Sequence, residues 1–126
     1  MANASDYWKN GILEFTYRAG AFTAPTSLLL AVSTTAISSD GTGLTEPVGN
    51  AYTRAAAVFD ASAAGIILNQ LVTFVQATGA WGTLTDFALF DQAGNMLAFD
   101  VLTAPVVVGN LDTLRFQPGQ LPVSLQ

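Results

Sequence analysis

The chain has no histidine and no cysteine. Those absences remove the commonest general base, the commonest thiol nucleophile and the main transition-metal ligands. No disulfide framework is available to it. Charge is almost as scarce. Only 10% of the 126 residues are charged, against about 25% in an ordinary soluble domain. The four cations, Lys9, Arg18, Arg54 and Arg115, are spread along the chain, and the formal net charge is −5. Nucleic-acid binding needs clustered Lys and Arg, so that class of partner is excluded. Apolar stretches such as Leu28 to Val32 and Gly65 to Leu68 fall far short of the roughly 18 residues of a spanning helix. No membrane partner is therefore expected. Met1 to Asn10 is polar and does not read as a signal peptide.

What is present is apolar. Hydrophobic residues make up 51% of the chain, so much of its surface must be uncharged or covered by partners. This balance points to a structural building block before a catalyst, with no cofactor. A chain of this length suits a single core and needs no staple.

Ser5 or Asp6 is placed to cap a short helix. Trp8, Ile12, Phe15 and Ala19 follow at helical spacing on one stripe, and Gly20 fits the stop. Gly11 within that segment costs about 1 kcal/mol, so the helix needs tertiary support. From Pro25 onward the pattern is of strands: Leu28 to Ser33, Tyr52 to Phe59, Ile66 to Leu68, Leu71 to Val75, Thr83 to Phe90, Met96 to Leu102, Pro105 to Val108, Asp112 to Phe116 and Leu121 to Leu125. Asp91-Gln92-Ala93-Gly94-Asn95 joins two of them as a hairpin. Pro122 cannot donate to a ladder, which marks the last strand for an edge. About eight short strands with frequent turns predict an all-β fold, an antiparallel β-sandwich of jelly-roll type with one short N-terminal helix. Residues 1–24 form the helix and arm, and residues 25–126 the sandwich.

The order of these segments resembles a known set. The helix with Ile12-Leu13 and Tyr17 leads through Pro25 into Leu28 to Ser33. Gly41-Thr42-Gly43-Leu44-Thr45-Glu46 and Gly49-Asn50-Ala51-Tyr52-Thr53-Arg54 follow. Ala77 to Asp91, with Trp81-Gly82 at its centre, is the most specific piece, and Gly94 to Leu97 and Gly109 to Leu125 close the pattern. This arrangement is similar to small structural proteins of tailed bacteriophages, commonly labelled tail-fibre proteins, with similar ones resembling capsid decoration or cement proteins. Pro47 after Glu46 departs from it, since a β-branched and a small polar residue are more typical there.

The resemblance implies a virion component, with the capsid surface placed ahead of the tail. It would work as a homo-oligomer, a trimer by the family's habit, in contact with the major capsid protein or other virion proteins. The alternative is a tail-fibre or receptor-binding module contacting host glycan, through Trp81 and the Asp40 loop. No catalytic residue is carried over.

The remaining candidates are weighed on their residues. Asp86, Asp91 and Asp100 would have to share a cleft to act as an acid pair; turn formation and pairing of Asp86 with Arg54 or Arg115 are the simpler readings. Asp40, Asp91 and Asn95 offer oxygen ligands suited to calcium, yet Asp, Asn and Gly in loops usually close turns, so no metal is assigned. Trp81 lies between Gly79 and Gly82 and reads as the most exposed of the strand aromatics. Tyr7 and Trp8, on a helix with little chain before it, are read with Trp81 as oligomer or virion contacts.

Overall fold

The computed structural model describes residues 2–124. Its elements run β1 (Asn3–Ala4), α1 (Asp6–Arg18), β2 (Leu28–Ser33), β3 (Ala55–Ala57), β4 (Ile66–Ile67), β5 (Val72–Thr73), β6 (Gly82–Asp91), β7 (Met96–Val108), β8 (Arg115–Phe116) and β9 (Val123–Ser124). The class is all-β and antiparallel with one helix, as the turn spacing and alternation predict. One five-stranded sheet has the order β1-β7-β6-β2-β3, and two ribbons pair β4 with β9 and β5 with β8. The jelly-roll type does not follow from this strand order.

Alternation along β2 and β6 sorts the side chains onto two faces. Leu30, Val32, Phe87 and Leu89 point inward and meet Val72, Phe116, Leu121 and Val123 from the β5–β8 and β9 side in one core. Ala31, Ala88, Phe90 and Met96 point the other way into a smaller cluster under Ile37 and Leu44. The sheet is therefore covered on both faces, which explains the long apolar runs of β2 and β6.

The β6–β7 hairpin carries two irregularities. Leu89 faces Ala98 but Phe90 faces Met96, so Leu97 is an extra residue that lets Met96 join the outer cluster. Further along, Leu84 faces Val106 while Asp86 faces Val101. A two-residue step on β6 thus answers a five-residue step on β7. Pro105 sits in this bulge, where its missing N–H costs no ladder bond. Pro105 to Val108 is consequently part of β7 and not a separate strand.

Several other strands are shorter than their sequence patterns. Tyr52 to Phe59 yields only Ala55–Ala57, because Tyr52 and Arg54 turn into a side-chain network described below. Leu71 to Val75 contracts to Val72–Thr73, and Asp112 to Phe116 to Arg115–Phe116. β9 pairs on both sides, with β4 and through the bridge Ala2–Val123. Ala2 donates its N–H to the Pro122 carbonyl at 2.8 Å, so Pro122 serves as an acceptor inside the fold and the expected edge is occupied. Leu125 lies outside the described residues.

Candidate assembly surface

Helix α1 is fixed by its first turn. The Ser5 hydroxyl accepts from the Trp8 N–H at 3.2 Å and donates to the Met96 carbonyl on β7. The Ser5 N–H reaches the Leu97 carbonyl at 2.8 Å, and the Asp6 N–H the Ser39 carbonyl at 2.9 Å. Ser5 is the N-cap, and it ties the helix to the body through both main chain and side chain. At the other end the left-handed cap residue is Ala19, at φ 53°, and the following Gly20 donates to the Glu14 carbonyl. Gly11 has a packing reason. A methyl there would overlap the Phe22 ring, which folds back across the helix to lie 5.9 Å from Tyr7.

No residue of α1 is buried. Trp8 and Ile12 are half-buried, but every residue from 13 to 19 is exposed. Leu13, Phe15 and Tyr17 are 53%, 61% and 79% exposed. At about 100° per residue, Leu13 and Tyr17 share one stripe, and Trp8, Ile12 and Phe15 share another roughly opposite to it. The helix is thus apolar on two faces, and only the foot of one of them meets the body. Such a pattern belongs to a helix packed on both sides.

At that foot lies a groove of about 240 Å³ lined by Trp8, Pro25, Leu28, Phe59, Ile67 and Val123, among others, with no charged residue. Of the three expected contact residues, Trp8 walls this groove. Tyr7 is exposed and borders a second depression of about 300 Å³ with Asp40, Gly41 and Asn95. Trp81 is elsewhere and 4% exposed. Its glycines let neighbouring chain close over it: the ring stands edge-on to Tyr52 at 5.2 Å and to Phe74 at 6.1 Å, and its indole N–H donates to the Asn50 carbonyl at 2.9 Å.

The acid pair is not assembled. Asp86 faces Val101 and Asp100 faces Phe87 on the adjacent rung, so the two carboxyls leave opposite faces of the sheet. Asp86 accepts from the Thr85 hydroxyl at 2.7 Å, not from Arg54 or Arg115. Asp91 closes its turn by accepting from the N–H groups of Ala93 and Asn95. Burial works against its charge, but these donors outweigh that and hold its carboxyl below the usual range. Asp40 accepts from the Thr42 N–H and hydroxyl, and its carboxyl is lowered by the same bonds. Among the described residues no group of three or more Asp or Glu is arranged to hold a metal ion.

Glu46, Tyr52 and Arg54 form a compact ionic cluster. The Arg54 guanidinium donates to both Glu46 oxygens at 2.9 and 3.0 Å and lies 3.9 Å above the Phe90 ring. The Tyr52 hydroxyl donates to Glu46 at 2.7 Å and accepts from the Val32 N–H at 3.2 Å. Burial opposes the Glu46 charge, but the bonds from Arg54 and Tyr52 hold the carboxyl below its ordinary value. Burial first, and the bond to Glu46 second, push the Tyr52 phenol well up. A carboxyl lowered on folding stabilises above its unfolded pKa, and that contribution is lost as pH falls through the folded value. Glu46→Gln is expected to cost about 1–2 kcal/mol at pH 7 and less at pH 3, below the unfolded carboxyl's pKa, where part of that contribution is already lost. Urea midpoints at the two pH values check this.

A family model described as Podophage GP4 fiber I protein gp80 matches residues 3–124. No curated protein matches the chain.

Proposed function

Because the chain belongs to the podophage GP4 fiber I protein gp80 family, and is thereby a phage structural protein and a virion component, we propose that it is a subunit of the virion's fibre. It works by assembly and not by catalysis, joining copies of itself, three by the family's habit, and neighbouring virion proteins. The match over residues 3–124 carries this reading. The family's description names a fibre protein, which favours the fibre alternative over the capsid decoration that the sequence reading set first. The projecting α1, apolar on two faces, supports a role in protein contacts. Trp81, with its ring enclosed, has little surface to offer a glycan or a partner.

Gold-labelled antibody against the chain, applied to intact virions and followed by cryo-electron microscopy, tests the position. Label on tail-associated fibres is expected. Label at regular points of the head lattice, with bare fibres, would overturn the fibre reading and restore capsid decoration.

A further inference from the structure

Two features of the fold have no partner among the described residues. One is the Leu13–Tyr17 stripe of α1, turned away from the side on which Trp8 meets the body. The other is the uncharged groove at the foot of the same helix. We propose that the Leu13–Tyr17 stripe of one copy seats in the groove of a second copy, head to tail. The proposal rests on the reading that the chain assembles with itself, and it names the two surfaces that meet.

Four observations support this occupant. First, a helix of 13 residues is marginal in water without a packed face, and residues 13–19 of α1 touch too little of the body to be buried by it. Second, the groove's volume of about 240 Å³ equals on the order of eight waters at their liquid volume. Walls such as Leu28, Phe59 and Ile67 give those waters few hydrogen-bond partners, so an apolar side chain displaces them favourably.

Third, a net charge of −5 sets copies of this chain against each other wherever charged surfaces would meet. Here they do not. Glu14 and Arg18 on the outer half of α1 pair with each other at 2.9 Å, and the groove lining contains no ionisable side chain. Fourth, stripe and groove are different surfaces of one subunit, so the contact is heterologous, and repeating it closes a ring if the rotation allows. The two exposed side chains of the stripe supply much less than the roughly 800 Å² per partner of a standard interface. A single contact is therefore weak, and the closed ring, in which every subunit makes two, is the stable form.

The test uses the full chain and two variants. Leu13→Ser with Tyr17→Ser removes the stripe at exposed positions, and Ile67→Glu places a charge in the groove. Light scattering across a concentration series is expected to show the wild type assembling and each variant alone shifted toward monomer, its half-assembly concentration raised by roughly tenfold or more. An equal mixture of the two variants retains one intact stripe and one intact groove, and is expected to give only a weak dimer, at the highest concentrations, that grows no further. Because the chain has no cysteine, copies carrying Tyr17→Cys and copies carrying Ile67→Cys provide a second reading that does not depend on the charged variant folding. Oxidation is expected to link one kind to the other. A wild type that assembles and is unaffected by the stripe variant would overturn this docking while leaving self-assembly standing. Tyr17→Cys copies linking chiefly to themselves would also overturn it, in favour of helix against helix. A wild type that stays monomeric throughout would remove self-assembly itself.

Discussion

Trp81→Ala is expected to lower folding stability by about 3–5 kcal/mol and the melting temperature by roughly 10–20 °C. The ring is 4% exposed and belongs to the main core. It stands edge-on to both Tyr52 and Phe74, a geometry worth a further 0.5–1.5 kcal/mol or so per pair beyond area burial. Its indole N–H bonds the Asn50 carbonyl, which also accepts from the Thr78 N–H at 3.1 Å. Trp81→Phe keeps a ring and loses that donor, and since the carbonyl retains one partner the cost should fall to about 1–2 kcal/mol. A residue acting as a surface contact would show the opposite profile, with unchanged melting and altered assembly mass. Thermal melts and light scattering on the same samples separate the two roles.

The misreading of Trp81 shows which part of this fold is local. Gly79 and Gly82 do mark an irregular segment, and Gly82 does adopt a positive φ of 91°. Turn glycines, however, report the backbone and not what packs over the side chain. The lid over Trp81 comes from Tyr52 and Asn50, about thirty positions earlier, and no spacing rule connects them. The Glu46–Arg54 pair is hidden for the same reason. Both residues border loops, and only the return of the chain onto β2 brings Arg54 over Phe90 with Glu46 against it.

The β6–β7 hairpin was legible because its information is contiguous: alternating apolar residues on either side of Asp91 to Asn95, with Gly94 at φ 87°. Its continuation through Pro105 was not legible, since proline signals a break unless a bulge removes the need for its N–H. Helix α1 falls between these cases. Ser5 and the Trp8, Ile12, Phe15 stripe announced it. The second stripe, Leu13 and Tyr17, became informative only when the exposure of residues 13–19 showed that the body leaves it uncovered.

Asn69→Ala is the other substitution expected to have a large effect, about 2–4 kcal/mol, because it leaves buried main-chain groups without partners. In the sequence, Asn69-Gln70 reads as a break between two strands. In the structure Asn69 is fully buried and uses both ends of its amide. Its Nδ2 donates to the carbonyls of Gln70 at 2.8 Å and Gln117 at 3.1 Å, and its Oδ1 accepts from the Leu121 N–H at 2.8 Å. One side chain thus holds the turn that carries the chain from β8 to β9, and β9 supplies Val123 to the groove. Asn69→Asp sharpens the test. The aspartate keeps the acceptor for Leu121 but turns an acceptor toward two carbonyls, and it buries a charge, so its pKa in the folded protein must rise above the unfolded value of about 3.9. A group raised in this way costs stability above its unfolded pKa and recovers it once protonated. The aspartate variant should therefore close part of its gap to the wild type as pH falls toward 3, since the stability lost through Glu46 and Asp91 over the same range is common to both proteins. Urea titrations of both proteins at pH 7 and pH 3 would show the two curves converging if the amide is the clamp, and running parallel if Asn69 merely fills space.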